Sequence, residues 1–376
     1  MKKIYILAFS LLMGLAVISC SDSDDNGGKD PANIEYSQDN ANSWHNYMIN
    51  VARLLKQDSE NLYNAWAVSY KGKASYGETF KNHNGGDYTS AVNCIEQLID
   101  GCVTIADEVG TAKIGDPYQL YISGNTTEAL YAVESWYSWH SREDYRNNIY
   151  SIRNSYFGST NGSINDASLA KAIAASDSAL NNKVIAAINK AANAIWAIPQ
   201  PFRNNIDSRE AEGAMEACAE LSDVLNNKLK PAAKELSEEV LSPIAANYVD
   251  VVVIPTYKAL YERNKALLAS IEALAENPTD EGFKAACEAW LEARQPWEES
   301  EAFLFGPVDA EGLDPNMDSW PLDQNAIVQL LESGNWDEMN WDEEDDDAAI
   351  EEAQSVRGFH TLEFLLFKDG NPRKAN

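Results

Sequence analysis

The chain has 376 residues, 45% of them hydrophobic, enough to bury a sizeable core across about two domains. It carries 59 Asp and Glu against 29 Lys and Arg, a formal net charge of −30. So acidic a surface repels nucleic acid and anionic lipid headgroups, and suits solubility or a cationic ligand.

The first residues read as a targeting segment, expected to span 1–19. Lys2 and Lys3 precede the apolar run Ile4 to Ile18, which is too short for a comfortable permanent membrane span. Val17-Ile18-Ser19-Cys20 resembles the bacterial lipobox, in which the cysteine is lipidated and becomes the new N-terminus. Cys20 is thus the expected lipidation site, and the lipid anchors the protein in a membrane without spanning it. Residues 20–33, beginning Ser21-Asp22-Ser23-Asp24-Asp25, are polar, acidic and Gly-rich and read as a flexible tether. They are also similar to the acidic export signal of surface lipoproteins.

Beyond Ile34 the periodicity is helical and strand-like alternation is scarce, so the fold class is all-α. Trp44, Tyr47, Met48, Val51 and Leu55 open the first helix. Asp87 is positioned to cap a second that ends near Gly110. Helices are expected over about 128–137, 144–155, 167–198 and 207–236, the last with capping-box spacing from Asp207 to Glu210. A first helical domain is expected over 34–238 and a second over 239–376. The second opens with a long helix kinked at Pro255, where one backbone bond is lost. A helix follows Asn277-Pro278-Thr279. Residues 306–322 read as loop, 323–332 as a short helix, 337–347 as an acidic loop and 348–367 as the last helix. Cys94, Cys102, Cys218 and Cys287 sit in helical apolar patterns without CxxC spacing and read as buried free thiols.

Two segments carry chemistry. His360 and Glu363 are three residues apart and share a helix face, as do Glu298 and Glu301. Each pair can offer ligands to one metal ion. His360 and Glu363 can equally bond only each other. Arg294, one turn before Glu298, can hold a carboxylate ionised and aimed. One nitrogen and three carboxylate oxygens suit iron better than a soft-ligand metal.

Gly358, His360 and Glu363 match the GxHxxE motif of the imelysin-like family, once filed among metallopeptidases. Trp290, Ala293, Arg294, Ser300, Glu301, Phe303 and Gly306 resemble its W-x-x-A-R and S/T-E-x-F segments. Asp318, Trp320, Pro321, Leu322 and Asp323 resemble its WPLD-type stretch. GxHxxE lies near the C-terminus, and 107–113 and 133–148 look like the usual second half of the family. The chain thus resembles the circularly permuted branch found in Bacteroides-like bacteria. The resemblance implies two similar four-helix bundles with the functional site between them, where Glu134, Ser138, Ser141 and Asp144 face the GxHxxE side. Spacings of three put Ser138, Ser141 and Asp144 on one stripe if that segment is helical.

The function so implied is capture of iron, or an iron complex, by an outer-membrane lipoprotein facing the periplasm or the cell surface, for transfer to uptake machinery. No organic cofactor is expected. The alternatives are a metallopeptidase, for which HxxE offers fewer ligands than HExxH, and an acidic scaffold that binds another surface protein without metal.

Overall fold

Eight helices make the framework, and their apolar stripes explain how they meet. α1 (Ala41–Ala67) buries Trp44, Tyr47, Met48, Val51, Leu55 and Leu62. α2 (Ala91–Glu108) buries Cys94, Ile95, Leu98, Ile99 and Cys102 at the same three-and-four spacing. They are followed by α3 (Ser141–Phe157), α4 (Ser178–Ala197), α5 (Arg209–Val224), α6 (Ile254–Glu276), α7 (Asp280–Glu298) and α8 (Phe359–Leu366). α2, α3, α4 and α5 pack around one core, and α1, α6, α7 and α8 around another, with α3 lying against α7 between them. The only sheet among the described residues is two short antiparallel hairpins, Ser69–Tyr70 with Lys73–Ala74 and Phe367–Lys368 with Asn371–Pro372.

This computed structural model describes residues 34–375 apart from 87, 343 and 344. The expected signal segment, the Cys20 lipidation site, the tether and the Asp87 cap fall outside them. α2 begins at Ala91, with the Ser90 side chain accepting from the Asn93 N–H at 3.2 Å. The four cysteines in the helices are buried and unpaired, as their patterns predict.

Several boundaries differ from the expectation. A division near 238–243 does not separate the two helix groups. α1 comes from the front of the chain yet packs on α6 and α8, and Glu35–Asn376 form one compact unit. The helix Glu238–Glu276 is continuous: its first turns lie on α2 and its last on α1 and α7. It is long and apolar enough to cross a membrane by length and composition, but half of its apolar window is buried in this core. Near Pro255 the structure has a wide π turn, Tyr248–Val253, directly before α6, which accommodates the missing N–H without ending the helix. The helix expected over 167–198 is two, Leu169–Ser176 and α4, because the Asp177 side chain accepts from the Leu180 N–H at 2.9 Å and starts α4 afresh. Ser208, rather than Asp207, caps α5. Residues 306–322 contain two short helices, Pro307–Ala310 and Leu313–Asp318.

Candidate functional site

Four segments converge where α3 meets α7. The first is the turn after the helix Thr126–Ala132. That helix stops five residues short of its expected end, and Ser135 and Trp139 take positive φ values of 53° and 62°. The sharp turn points Glu134 and Ser135 inward. It also leaves the Tyr137 and Ser138 N–H groups without helical partners and aimed at Glu363, whose Oε1 accepts both at 3.1 and 2.8 Å. Ser138 Oγ donates to the same oxygen at 2.7 Å. The stripe expected for Ser138, Ser141 and Asp144 therefore does not form. Ser138 lies in the turn, and Ser141 opens α3 and donates to the Glu134 carbonyl at 2.6 Å. Only Asp144 stands on α3 facing the site.

The second segment is α7 and its end, which supplies Arg294, Glu298 and Glu301. The third is the helix Leu313–Asp318, which ends on Asp318. The fourth is α8. It is not one helix with residues 348–355, because Gly358 breaks them at φ +90°. A Cβ there would come 2.5 Å from the Met317 carbonyl oxygen, so only glycine lets α8 start this close to the strand of chain that carries Asp318.

Arg294 is fully buried at the centre. Its Nη2 lies 2.5 Å from Glu134 Oε1 and 2.6 Å from Glu298 Oε1, its Nε 3.5 Å from Asp144 Oδ2, and its Nη1 bonds Asp318. His360 Nε2 lies 3.0 Å from Asp318 Oδ1 and 3.5 Å from Glu134 Oε1, while its Nδ1 meets Glu363 Oε2 at 2.9 Å. Glu363 is thus spent on orienting His360 through one oxygen and gripping the turn through the other. Of the four residues expected as metal ligands, His360, Glu298 and Glu301 stand where an ion could reach them, and Glu363 stands behind His360. Asp318, which sequence reasoning noted only in a family stretch, takes the inner place. Two groups can hold an ion, Glu134–Asp318–His360 and Glu298–Glu301–Asp318, the ligand atoms in each lying within 4.8 Å of one another. Both share Asp318.

Lys113 was also missed. It ends the π turn Val109–Lys113, whose extra residue rotates it off any regular helical stripe. Its Nζ lies 3.1 Å from Glu134 and 3.6 Å from Glu301. Asn148 of α3 donates to Glu298 Oε2 at 2.5 Å, and Trp297 Nε1 to Asp318 Oδ2 at 2.6 Å. The Trp320 ring stands edge-on to His360 at 4.7 Å.

The charges divide accordingly. Burial pushes the carboxyls of Glu134, Asp144, Glu298, Glu301, Asp314 and Asp318 upward, and fixed cations oppose it. Glu134, beside Lys113, His360 and Arg294, is held down to about 2. Asp318, between Arg294 and His360, is held well below the usual carboxylate range. Burial wins elsewhere. Glu298 is pushed up to about 8 despite Arg294, Asp144 to about 7, and Glu301 well above its ordinary value despite Lys113. Burial and the Asp318 charge also lift Asp314 to about 7. Burial and Arg294 press His360 downward, but Asp318 and Glu134 outweigh them and raise it well above its ordinary value.

The imidazole nitrogen and the carboxylate oxygens are a hard donor set that iron accepts. Asp144 Oδ1 is buried without a hydrogen-bond donor, with His140 Nε2 3.8 Å away. The Arg294 guanidinium supplies positive charge to both groups, its Nη2 lying 3.3 Å from His360 Nε2 and 2.6 Å from Glu298 Oε1. In the Glu298–Glu301–Asp318 group, Glu298 and Glu301 hold protons that an arriving cation can displace.

The fold and this buried acid, arginine and histidine cluster define an all-helical protein with a closed polar centre between two helix groups. The imelysin family model matches residues 24–228 and 253–376, and the chain belongs to that family. A solved imelysin peptidase from Bacteroides ovatus is 61% identical, with a TM-score of 0.91 over 92% of this chain and all of that one. Iron-regulated protein A of Synechococcus elongatus is 34% identical over 126 residues, which span 33% of this chain and 31% of that protein.

Proposed function

We propose that the protein binds iron, or an iron complex, at this centre and serves iron uptake as a lipoprotein anchored through Cys20 in the outer membrane, passing its cargo to uptake machinery. The observation that carries the reading is the pair of ligand groups meeting at Asp318, both beside Arg294, the second containing Glu298 and Glu301, the carboxyls that burial raises. The name of the cyanobacterial relative supports the choice of iron. Glu298, Glu301 and Asp318 would hold the ion, with His360 beside them turned by Glu363. Hard oxygen ligands stabilise ferric or ferrous iron, and the residues around them exclude water from it.

The test is metal content. The purified native protein, loaded with iron and dialysed, is expected to retain about one iron per chain, and Asp318→Asn and Glu298→Gln are expected to retain none. An iron-free native protein would refute the reading. A peptide pool assayed beside it covers peptidase chemistry, the activity named for the Bacteroides ovatus relative. That chemistry needs an open coordination position and a general base, whereas His360, Glu298 and Arg294 are wholly buried.

A further inference from the structure

On the outer side of α3 and α7 lies a groove of about 390 Å³. Its walls include His140, Arg146 and Tyr150 from the α3 side, Trp196 at the end of α4, and Leu291 and Glu292 from α7. Trp196 is 42% exposed, one of few large apolar side chains so placed. Two arginines lie against its ring, with guanidinium carbons 4.1 Å (Arg142) and 4.5 Å (Arg146) from the ring centre, and Arg146 also lies 5.1 Å from the ring of Tyr150.

The two arginines differ in what else they do. Arg142 is committed: it donates to the Trp196 and Ile198 carbonyls at 3.3 Å each and to Glu143 at 3.2 Å. Arg146 makes no ion pair and no hydrogen bond among the described residues; its Nε, like that of Arg142, is buried without an acceptor. The chain has two acids for every base, so a cation left without a carboxylate is unusual here. The acids nearest the groove are taken. Glu143 accepts from Gln200 at 2.7 Å as well as from Arg142, and Glu292 is paired with Arg263. Arg146 lies against both rings, which restricts its side chain and lowers the further entropy cost of holding a ligand in the groove. A cationic ligand would meet guanidinium groups where it needs bare ring faces. An anion with a flat apolar body meets a forked donor, a tryptophan edge and Leu291.

We propose that this groove binds a small planar aromatic carboxylate, its anion forked on Arg146 and its ring against Trp196 and Leu291. The site is separate from the buried centre and independent of the iron reading.

The experiment titrates 2-naphthoate, benzoate, acetate and 2-naphthylmethanol into the full-length protein in metal-free buffer, by calorimetry. Saturable binding is expected in the order 2-naphthoate, benzoate, acetate, with the uncharged alcohol at least ten-fold weaker than 2-naphthoate. Arg146→Glu is expected to weaken 2-naphthoate at least ten-fold. Trp196→Ala is expected to weaken 2-naphthoate more than benzoate, with the helical circular dichroism of both variants unchanged. No saturable binding, an alcohol that binds as well as the acid, or an Arg146→Glu variant that binds as tightly as the native protein would each overturn the proposal. Because no metal is present, such failure leaves the iron reading untouched, and an iron-free protein leaves this one standing.

Discussion

Glu134 and Glu298 both lie within 2.6 Å of the same Arg294 nitrogen, yet they titrate in opposite directions. Glu134 sits at about 2 and Glu298 at about 8. Burial opposes ionisation of both. Glu134 reaches a second cation, Lys113, at 3.1 Å, and a His360 held protonated by Asp318. Glu298 has Arg294 in contact, Lys113 acting at longer range and the neutral Asn148 amide, with the acids Asp144 and Glu134 set against it. One guanidinium does not keep every carboxyl around it charged; the balance of close cations against burial and neighbouring acids decides which ones ionise.

The comparison breaks most sharply at the shared cation. Arg294→Met leaves Asp318 buried without its main counter-charge and takes one of three cationic partners from Glu134, and should cost about 3–5 kcal/mol in urea-unfolding free energy. Lys113→Met removes only the second cation and should cost less, on the order of 2 kcal/mol. Equal losses would show that the two carboxyls do not depend on different numbers of cations.

The orienting shell comes next. Glu363→Gln should weaken iron binding roughly 10–100-fold while the protein stays folded, read by competition with a chelator.

The pH dependence follows from the raised group. Glu298 and Asp144 have folded values near 8 and 7, above the unfolded carboxylate range. The folded chain therefore holds protons that the unfolded chain has lost. Their contribution is complete below about pH 4, declines as pH rises, and is lost once pH passes about 8. Glu134 and Asp318, depressed in the folded chain, add an opposite slope that is spent by about pH 6, above which they are ionised in both states. Thermal midpoints should fall between about pH 6 and pH 9, and Glu298→Gln should flatten the fall. A midpoint that rises with pH would contradict the assignment. The smallest effect expected is that of Ser138→Ala, which removes one of three donors to Glu363 and should cost about 1 kcal/mol by thermal melting.

Much of this was legible in the residues. The apolar spacing of α1 and α2 gave their existence and buried faces, and HxxE with Arg294 and Glu298 marked the segments that meet. The rest depends on geometry that spacing does not carry. Lys113 sits on a π turn and so falls off any stripe of period 3.6. Asp318 belongs to a stretch without periodicity, brought in by the close approach at Gly358. Ser138 looked helical because nothing in 133–140 announces the two positive-φ residues, and neither is glycine. The split at Asp177 and the cap at Ser208 turned on which of two adjacent polar residues bonds an N–H.

The uninterrupted helix Glu238–Glu276 belongs to both helix groups, resting on α2 at its start and on α1 and α7 further along. A hinge between the groups would have to bend this spar and tear its packing on both sides. On the proposed iron reading, exchange is expected to run through the segments that cover the centre, the 133–140 turn and the stretch from Gly306 to Asp323, rather than through a hinge. Crosslinking the two helix groups is then expected to leave iron exchange running, and pinning the 133–140 turn to stop it.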